Sequence, residues 1–286
     1  MTIGFIGAGK VGFSLGQFFA HGGLPMTGYY SRHRDSAQEA AERTGTRQFA
    51  SLEALVRASD AIFLTVPDGA ISAVYEKLRQ FDLTGKQLCH CSGAISAQEA
   101  FPGAEELGAE LYSIHPLFPV SDKYVAWREL TGAFFCIEGV GTHLDWWAET
   151  LAGLGAQVRQ LPSAGKARYH AACTVACNLM CALAQVSVDL LGSCGFSQPE
   201  ALAALAPLMR ANLDHILHDG PQTALTGPVE RGDASTVARH LACLPEERTR
   251  RLYAAASGLL VDLAQKKHPE TDYQPVKTLL EEGSST

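Results

Sequence analysis

A glycine-rich turn within the first twelve residues constrains this chain more than any other feature. An apolar segment fit for a short strand, residues 2–6, is followed at once by Gly7-Ala8-Gly9-Lys10-Val11-Gly12, and helical spacing then covers residues 13–20. GxGxxG between a strand and a helix is typical of a dinucleotide site, although a tight turn in an unrelated α/β protein would share it. Gly7 permits the turn, Gly9 lets a pyrophosphate approach the backbone, and Gly12 lets helix and strand pack closely. The helix N-terminus presents N–H groups to the phosphates.

Strand and helix patterns alternate over the first 161 residues. The apolar segment 61–66 is continuous, which is typical of a strand buried on both faces of a parallel sheet. Such alternation predicts the α/β class with a doubly wound Rossmann sheet. The expected strands cover residues 2–6, 26–31, 47–50, 61–66, 87–91, 110–114, 133–137 and 157–161.

The pattern changes after a plausible hinge at residues 161–165. Beyond it we find helical spacing and almost no strand signal, with helices expected at about 166–191, 199–217, 234–241, 246–265 and 273–280. The sequence therefore predicts a dinucleotide-binding domain at 1–161 and an all-α substrate and dimerisation domain at 162–286.

Residues 171–191 are apolar over about the length of a membrane span. Because Asn178, Gln185 and Asp189 interrupt the segment, we expect a buried core helix of a soluble protein. It is more apolar than a small helical domain needs, which favours a partner chain covering one face and hence a homodimer.

Composition narrows the class of partner. A net charge of −7 and a pI near 5.8 argue against nucleic-acid binding, because no basic surplus exists to neutralise phosphates. The chain opens on a strand without the basic region of a signal peptide, and eight cysteines without extracellular signals suggest reduced thiols. We therefore expect a cytoplasmic protein that acts on a small molecule.

The end of the second strand bears on the choice of cofactor. An NAD enzyme usually places an acidic residue there, but this chain has Ser31-Arg32 and no acid until Asp35. A guanidinium can hold a 2′-phosphate bidentately, and a hydroxyl can add a bond. The pattern favours NADP (NADPH), although a solvated basic turn would look the same.

Three further strand ends carry candidate site residues. Val66, Pro67 and Asp68 end the central strand and are expected beside the nicotinamide, where a strand-stopping proline and an Asp helix cap explain them equally well. Ser92 and His115 end the next two strands, so we expect both at the ligand-binding edge of the sheet. A histidine there can be the acid or base of a hydride transfer, with Ser92 orienting the same substrate atom.

The second half of the chain adds fewer candidates. Lys166 and His170 lie four residues apart and share a helix face, with Asn178 two turns further on. We predict catalytic roles for Lys166 and His170 and a substrate contact for Asn178, against the alternative that Lys166 is merely exposed. Arg231 lies in a glycine-rich loop and could bind a substrate carboxylate. We predict no metal site, because Cys residues repeating every four positions from 173 to 181 fit packed thiols better.

These motifs together resemble a bacterial family in which a Rossmann-like NADP-oxidoreductase domain precedes a helical domain of unknown function. The resemblance covers nearly the full length, and more distantly the chain is similar to 6-phosphogluconate and β-hydroxyacid dehydrogenases, pyrroline-5-carboxylate reductase and prephenate dehydrogenase. Its carriers are Gly7–Gly12, His90-Cys91-Ser92-Gly93-Ala94, Ser113-Ile114-His115-Pro116-Leu117, Tyr169-His170-Ala171-Ala172, Leu225-Thr226-Gly227-Pro228 and Arg231-Gly232-Asp233.

The resemblance implies a helical domain of the 6-phosphogluconate-dehydrogenase type, a dimer with interlocked helical domains, and an active site in the cleft between domains. Lys166 matches the catalytic lysine of β-hydroxyacid dehydrogenases, but His170 stands where that family has asparagine. Ser92 and His115-Pro116 match the spacing in prephenate dehydrogenase, while the rest of that pattern is missing.

The leading hypothesis is an NADP-dependent oxidoreductase acting on a small, anionic hydroxy, keto or imino compound. An imine reductase similar to pyrroline-5-carboxylate reductase is the alternative among enzymes. A non-catalytic NADP-binding sensor or partner protein is the alternative from another class, and it would not need the polar set of Ser92, His115, Lys166 and His170.

Overall fold

The protein is described by a computed structural model covering residues 1–244 and 246–285. Contacts between Cα atoms divide the chain into two compact units, the first formed by Met1–Asn178 and the second beginning at Leu179. The domain boundary expected between residues 161 and 162 stays a prediction. The first unit includes eight strands and the second is helical in its regular structure.

An eight-stranded sheet forms the centre of the first unit, in the order β3-β2-β1-β4-β5-β6-β7-β8. Neighbouring strands pair in parallel, except for the antiparallel pair β6 and β7. The doubly wound α/β class is thereby confirmed. The strands are β1 (Ile3–Ile6), β2 (Met26–Tyr30), β3 (Arg47–Gln48), β4 (Ala61–Leu64), β5 (Gln87–His90), β6 (Glu110–Pro116), β7 (Phe134–Val140) and β8 (Gln157–Gln160).

Helices connect these strands. The sequence pattern did not predict two short helices, at 97–100 and 126–129. Both begin after loops, where no helical periodicity of apolar residues can develop. The helices of this unit are α1 (Lys10–His21), α2 (Arg34–Thr44), α3 (Leu52–Ala58), α4 (Asp68–Leu78), α5 (Ala97–Ala100), α6 (Ala126–Glu129), α7 (Leu144–Gly153) and α8 (Lys166–Ala176).

Apolar side chains cover both faces of the sheet. On one face Phe5 stacks on Phe63 with ring centroids 5.3 Å apart, and Trp147 meets Phe63 edge to face at the same distance. The indole N–H of Trp147 donates to Gln87 Oε1 at 2.8 Å, so burial of this large ring leaves no polar atom unpaired. The central strands β1 and β4 are buried throughout, which explains why their sequences are continuous apolar segments.

The second unit contains six helices in its described residues. A small core gathers the apolar sides of its last helices, including Val237, Val261 and Val276. The helices are α9 (Asn178–Ser193), α10 (Gln198–Asp219), α11 (Pro221–Ala224), α12 (Ala234–Cys243), α13 (Glu247–Lys267) and α14 (Gln274–Ser285).

The apolar segment 171–191 differs from its prediction in two respects. It is divided between α8 and α9 at Cys177, and Val188 is its only fully buried residue in the single chain. The interpretation as a buried core helix is therefore wrong for the single chain. By length and composition alone, the helical stretch Ser163–Ser193 could cross a membrane, which is weak support for a span.

The sheet buries an imidazole at the end of β5. His90, the last residue of β5, is 0% exposed, and its Nδ1 accepts a hydrogen bond from the backbone N–H of Ser92 at 3.1 Å. Desolvation, with a smaller contribution from the Lys166 charge, lowers the pKa of His90 to about 3. The ring is therefore neutral in the folded protein at neutral pH.

We expect the free energy of unfolding to fall as the pH is lowered from 7.5 to 5. An unfolded histidine binds its proton near pH 6.5, whereas folded His90 does not until about pH 3, so protons favour the unfolded chain over this interval. Urea unfolding at several pH values measures the slope. His90→Gln should reduce this slope, and His33→Gln, at an exposed position, should not. An unchanged slope in His90→Gln would contradict the argument that buried His90 causes the pH dependence.

Candidate active site

The glycine-rich turn has the geometry that a pyrophosphate site requires. Gly7 adopts a φ of +107°, and a Cβ there would lie 2.7 Å from the backbone oxygen of Thr65. The Thr65 hydroxyl donates to the carbonyl oxygen of Gly7 at 2.8 Å, and a Cβ on Gly12 would collide with that hydroxyl. Around Gly9 nothing lies within 4 Å of the Cβ position, so its backbone is open to a ligand.

A cavity of about 280 Å³ opens beside this turn and runs to the end of β2. Of the predicted cofactor residues it includes Gly7, Ala8, Gly9, Ser31, Arg32, Val66 and Pro67. Lys10, Val11 and Gly12 form the first turn of α1, and Asp68 begins α4. Two basic residues that the sequence pattern did not single out, His33 and Lys77, also line the cavity.

Asp68 and Ser92 join the ends of neighbouring strands β4 and β5. The Ser92 hydroxyl donates to Asp68 Oδ2 at 2.7 Å. The same hydroxyl oxygen accepts the backbone N–H groups of Ala94 at 3.1 Å and of Ile95 at 3.4 Å. This bonding fixes the turn after β5, and it points the hydroxyl toward the end of β4.

Lys166 is buried, with 1% of its surface exposed. Its ammonium donates to the Ser92 carbonyl at 3.0 Å and to the Ser113 hydroxyl at 2.7 Å, and Ser113 Oγ donates in turn to the Ser92 carbonyl at 3.2 Å. These bonds tie the first turn of α8 to the ends of β5 and β6. The alternative of an exposed first-turn lysine is thus excluded, whereas its predicted catalytic role stays a prediction.

His115, Tyr169 and His170 come together at the end of β6. His115 Nδ1 and the Tyr169 hydroxyl are 2.8 Å apart, and the rings of His115 and His170 lie nearly perpendicular with centroids 6.1 Å apart. Gly93 makes the room: a Cβ there would lie 2.6 Å from His170 Cδ2 and 2.9 Å from His115 Nε2. Since Nδ1 is engaged, Nε2 is the nitrogen of His115 that remains for a substrate.

These histidines line a second cavity of about 320 Å³. The cavity also includes Asn178, the thiol-bearing Cys173 and the apolar segment 116–119. Ser92 and Lys166 are not among its lining residues, although Lys166 lies close enough to affect His115 electrostatically. The structure therefore groups His115, His170 and Asn178, and it places Ser92 and Lys166 in the hydrogen-bonded support beside them.

Burial sets the protonation of this group. Desolvation first, and then the charges of Lys166 and His170, lower the pKa of His115 to about 4, so its imidazole is neutral at pH 7. Burial and the neighbouring Cys136 raise the pKa of the Tyr169 hydroxyl, which stays protonated. Desolvation lowers the pKa of Lys166, partly offset by the charge of Glu138. A neutral imidazole that is hydrogen-bonded to a protonated phenol can accept a proton from a substrate.

The second unit contains the remaining predicted residue. Arg231 is exposed in the loop that precedes α12, next to Asp233, whose carboxylate caps that helix. Glu230 in the same loop accepts a bond from His268 Nε2 at 2.7 Å. Among the described residues, no group of three or more His, Cys, Asp or Glu side chains could hold a metal ion.

Sequence reasoning missed Tyr169 and Gly93 as site residues, although both lie in motifs that it quoted. Tyr169 directly precedes His170, and Gly93 directly follows Ser92. Spacing alone could not select them, since their roles depend on β6 and α8 meeting over the turn after β5.

Fold and site together define the class: a Rossmann-type oxidoreductase domain followed by a helical region. Two family models match the chain. Residues 2–91 match the NADP oxidoreductases described as coenzyme F420-dependent, and residues 133–259 match the domain of unknown function DUF2520. The two matches follow one another in the order of the resembled family, an NADP oxidoreductase domain before a domain of unknown function, and they confirm the family resemblance.

Solved structures share this architecture. A Thermotoga maritima protein is 28% identical, with a TM-score of 0.73 over 93% of this chain and 99% of its own. A Bacteroides fragilis protein described as an NADP oxidoreductase is 20% identical, with a TM-score of 0.70 over 91% and 98%. A reductive aminase from Aspergillus terreus, solved with NADPH and ethyl-5-oxohexanoate, is 17% identical, with a TM-score of 0.60 over 98% and 92%. No curated protein matches the chain in sequence.

Gly93→Ala should displace both imidazoles, because its Cβ would need the space that His115 and His170 occupy. We expect a loss of roughly 1–3 kcal/mol of stability, as for other overpacked sites, and a broken bond between His115 and Tyr169. A crystal structure and thermal unfolding of the variant check this. Gly153→Ala on α7 is the control, since nothing lies within 4 Å of its Cβ position. Unmoved rings in Gly93→Ala would refute the packing argument.

Proposed function

We propose that this protein is an NADP-dependent oxidoreductase that transfers hydride between the nicotinamide and a small hydroxy, keto or imino compound. The observation that carries the proposal is His115, which lines a cavity at the end of β6 and whose Nδ1 is hydrogen-bonded to the Tyr169 hydroxyl. The glycine-rich turn follows β1 of the same sheet, and ligands of such sheets bind at the carboxyl ends of the strands.

The residues of the first cavity fit NADP. Gly7 permits the tight turn and Gly9 leaves its backbone open to a pyrophosphate, and Ser31 with Arg32 supplies a hydroxyl and a guanidinium for the 2′-phosphate. When bound, the cofactor supplies or accepts the hydride. Every proton that accompanies this hydride must be moved by the protein or by solvent.

His115 is the proposed acid and base. In the oxidative direction the neutral imidazole carries its hydrogen on Nδ1, which donates to the Tyr169 oxygen and so fixes the ring, and it takes the hydroxyl proton of the substrate at Nε2. In the reductive direction the imidazolium would return this proton to the developing alkoxide. His170 and Asn178 orient the substrate from α8 and the start of α9, since both line the same cavity.

Lys166 and Ser92 support this group in the proposed mechanism. The buried ammonium keeps the ends of β5 and β6 in register with α8, and its charge helps to hold His115 neutral. For Arg231 a contact with a substrate carboxylate stays the prediction made from the sequence. A keto acid compared with its amide tests that contact.

Imine reduction is the second candidate function. With a pKa of about 4, His115 is rarely protonated at neutral pH, and an iminium substrate already carries the proton that a ketone would have to receive. The fold shared with a reductive aminase is consistent with this chemistry. A non-catalytic NADP-binding sensor remains the alternative outside enzymes. We propose a cytoplasmic location for the protein whichever of these three functions it has.

NADPH oxidation against a panel of keto acids, ketones and cyclic imines tests the proposal. Once a substrate is found, His115→Ala should lower kcat by about 10²–10⁴-fold, the usual contribution of a positioned acid or base, with an unchanged Kd for NADPH. Tyr169→Phe should lower kcat less, because it removes only the bond that orients the ring. His21→Gln, an exposed histidine at the end of α1 that lines neither cavity, is the kinetic control. Normal turnover in His115→Ala would show that another residue is the acid and base, and His170 would be tested first. NADPH binding without any turnover would favour the non-catalytic sensor.

We also propose that the protein is a homodimer through its second unit. Several large apolar side chains of α9 and α10 are exposed in the single chain, among them Leu183, Leu208 and Leu217. Patches of this kind mark interaction surfaces. Light scattering at micromolar concentration should give twice the chain mass of 30.6 kDa. Leu208→Glu should shift the protein toward the monomer, and a monomeric wild type would reject the dimer.

A further inference from the structure

The cofactor cavity is more basic than the sequence pattern predicted. Arg32 and His33 line it from the turn after β2, and Lys77 lines it from the last turn of α4. None of the sixteen residues that line the cavity is Asp or Glu. Two elements that are separate in the sequence therefore bring cations to the same space.

The charges of Arg32 and Lys77 are not neutralised within the described part of the chain. Neither residue forms a salt bridge there, and Glu76, the neighbour of Lys77, pairs with Arg79 at 3.2 Å instead. Both side chains are exposed, so they keep their freedom to reach a ligand. Ser31 Oγ accepts the backbone N–H of His33 at 3.2 Å, which leaves the hydroxyl hydrogen to donate.

The other residues of the cavity show how a nucleotide would lie. The open glycine turn takes the pyrophosphate at one end, and Leu52, Ala70, Ala73 and Val74 form apolar walls suited to an adenine ring. The ribose of that adenosine would lie by Ser31 at the end of β2. Lys77 lies one helical turn beyond Ala73 on α4, and it lines the same cavity as Arg32.

We propose that Lys77 is a second cation for the 2′-phosphate of NADP, acting together with Arg32; this inference rests on the proposed function. A phosphate monoester carries a charge of about −1.5 to −2 at pH 7, so one guanidinium does not balance it. The carbonyl groups at the C-terminus of α4 would repel the phosphate, and an ammonium in that last turn offsets the repulsion. Lys77 thereby contributes to the discrimination between NADP and NAD.

Two adenosine nucleotides that differ only in the 2′-phosphate test this role without any turnover. Isothermal titration of the full chain with adenosine 2′,5′-bisphosphate and with 5′-AMP gives both Kd values. Lys77→Gln should weaken binding of the bisphosphate about tenfold, the loss of one charge-assisted contact, and leave 5′-AMP within about twofold. Lys77→Arg should keep most of the affinity. Lys266→Gln, a lysine in the last turn of α13, is the matched control and should change neither value.

Each other outcome has a definite meaning. Unchanged binding of the bisphosphate by Lys77→Gln, or an equal loss for both nucleotides, overturns the proposal. Arg32→Ala measured in parallel should show the same selectivity for the bisphosphate. A wild type that binds the two nucleotides equally, or binds neither, rejects the NADP preference and this role together. Selective binding without turnover of any substrate would reject the oxidoreductase function and leave the role of Lys77 intact.

Discussion

The candidate site depends on a buried ammonium. Lys166 Nζ bonds to the Ser92 carbonyl and the Ser113 hydroxyl, and through these it holds three elements in register: the turn after β5, the end of β6 and the first turn of α8. Those elements carry Gly93, His115 and the Tyr169-His170 pair. Burying a charge costs several kcal/mol unless its partners compensate for lost water. The buried carboxylate of Glu138 provides part of this compensation, and its own oxygens accept bonds from Ala97 N and Ser163 Oγ.

The same lysine links architecture to chemistry. Its positive charge adds to desolvation in lowering the pKa of His115, so one side chain both positions the imidazole and keeps it neutral. Ser92 extends this arrangement toward the cofactor, since its hydroxyl binds Asp68 at the start of α4. The first cavity is lined from the ends of β1, β2 and β4 and the second from the end of β6. Ser92 follows β5, the strand between β4 and β6, and it is hydrogen-bonded to Asp68 after β4 and to Ser113 of β6.

Much of the fold could be predicted because local sequence determines it. All eight strands lie within or next to the segments expected for them, and the glycine turn follows from Gly7, where only a residue without a side chain fits. The antiparallel direction of β7 could not be predicted, because it depends on how the segment after Pro116 returns to the sheet. The exposure of residues 171–191 was also missed, since an apolar composition does not tell whether the surface is covered by the same chain or by another.

The site shows the same limit at the level of single residues. His115 and Ser92 were both placed correctly at strand ends, yet the direction of the Ser92 hydroxyl is decided by Asp68, twenty-four residues away. Lys77 gave no signal at all, because an exposed lysine in a last helical turn is a common stabilising residue. Lys77 becomes a candidate phosphate ligand only because Arg32 lines the same cavity.

The distribution of charge in the first unit suggests how binding and chemistry are divided. Arg32 and Lys77 line the first cavity, whereas the second cavity is lined by imidazole, amide, thiol and apolar groups, with His115 held neutral. Attraction of a phosphate far from the reacting carbon stabilises the substrate complex and the transition state equally, so it contributes affinity and selectivity for the cofactor. Proton transfer at the reacting atom instead requires a group whose charge can change. The fixed charges of the first cavity meet the requirement for cofactor binding, and the neutral, oriented imidazole of the second cavity meets the requirement for proton transfer. Strands of one sheet carry both.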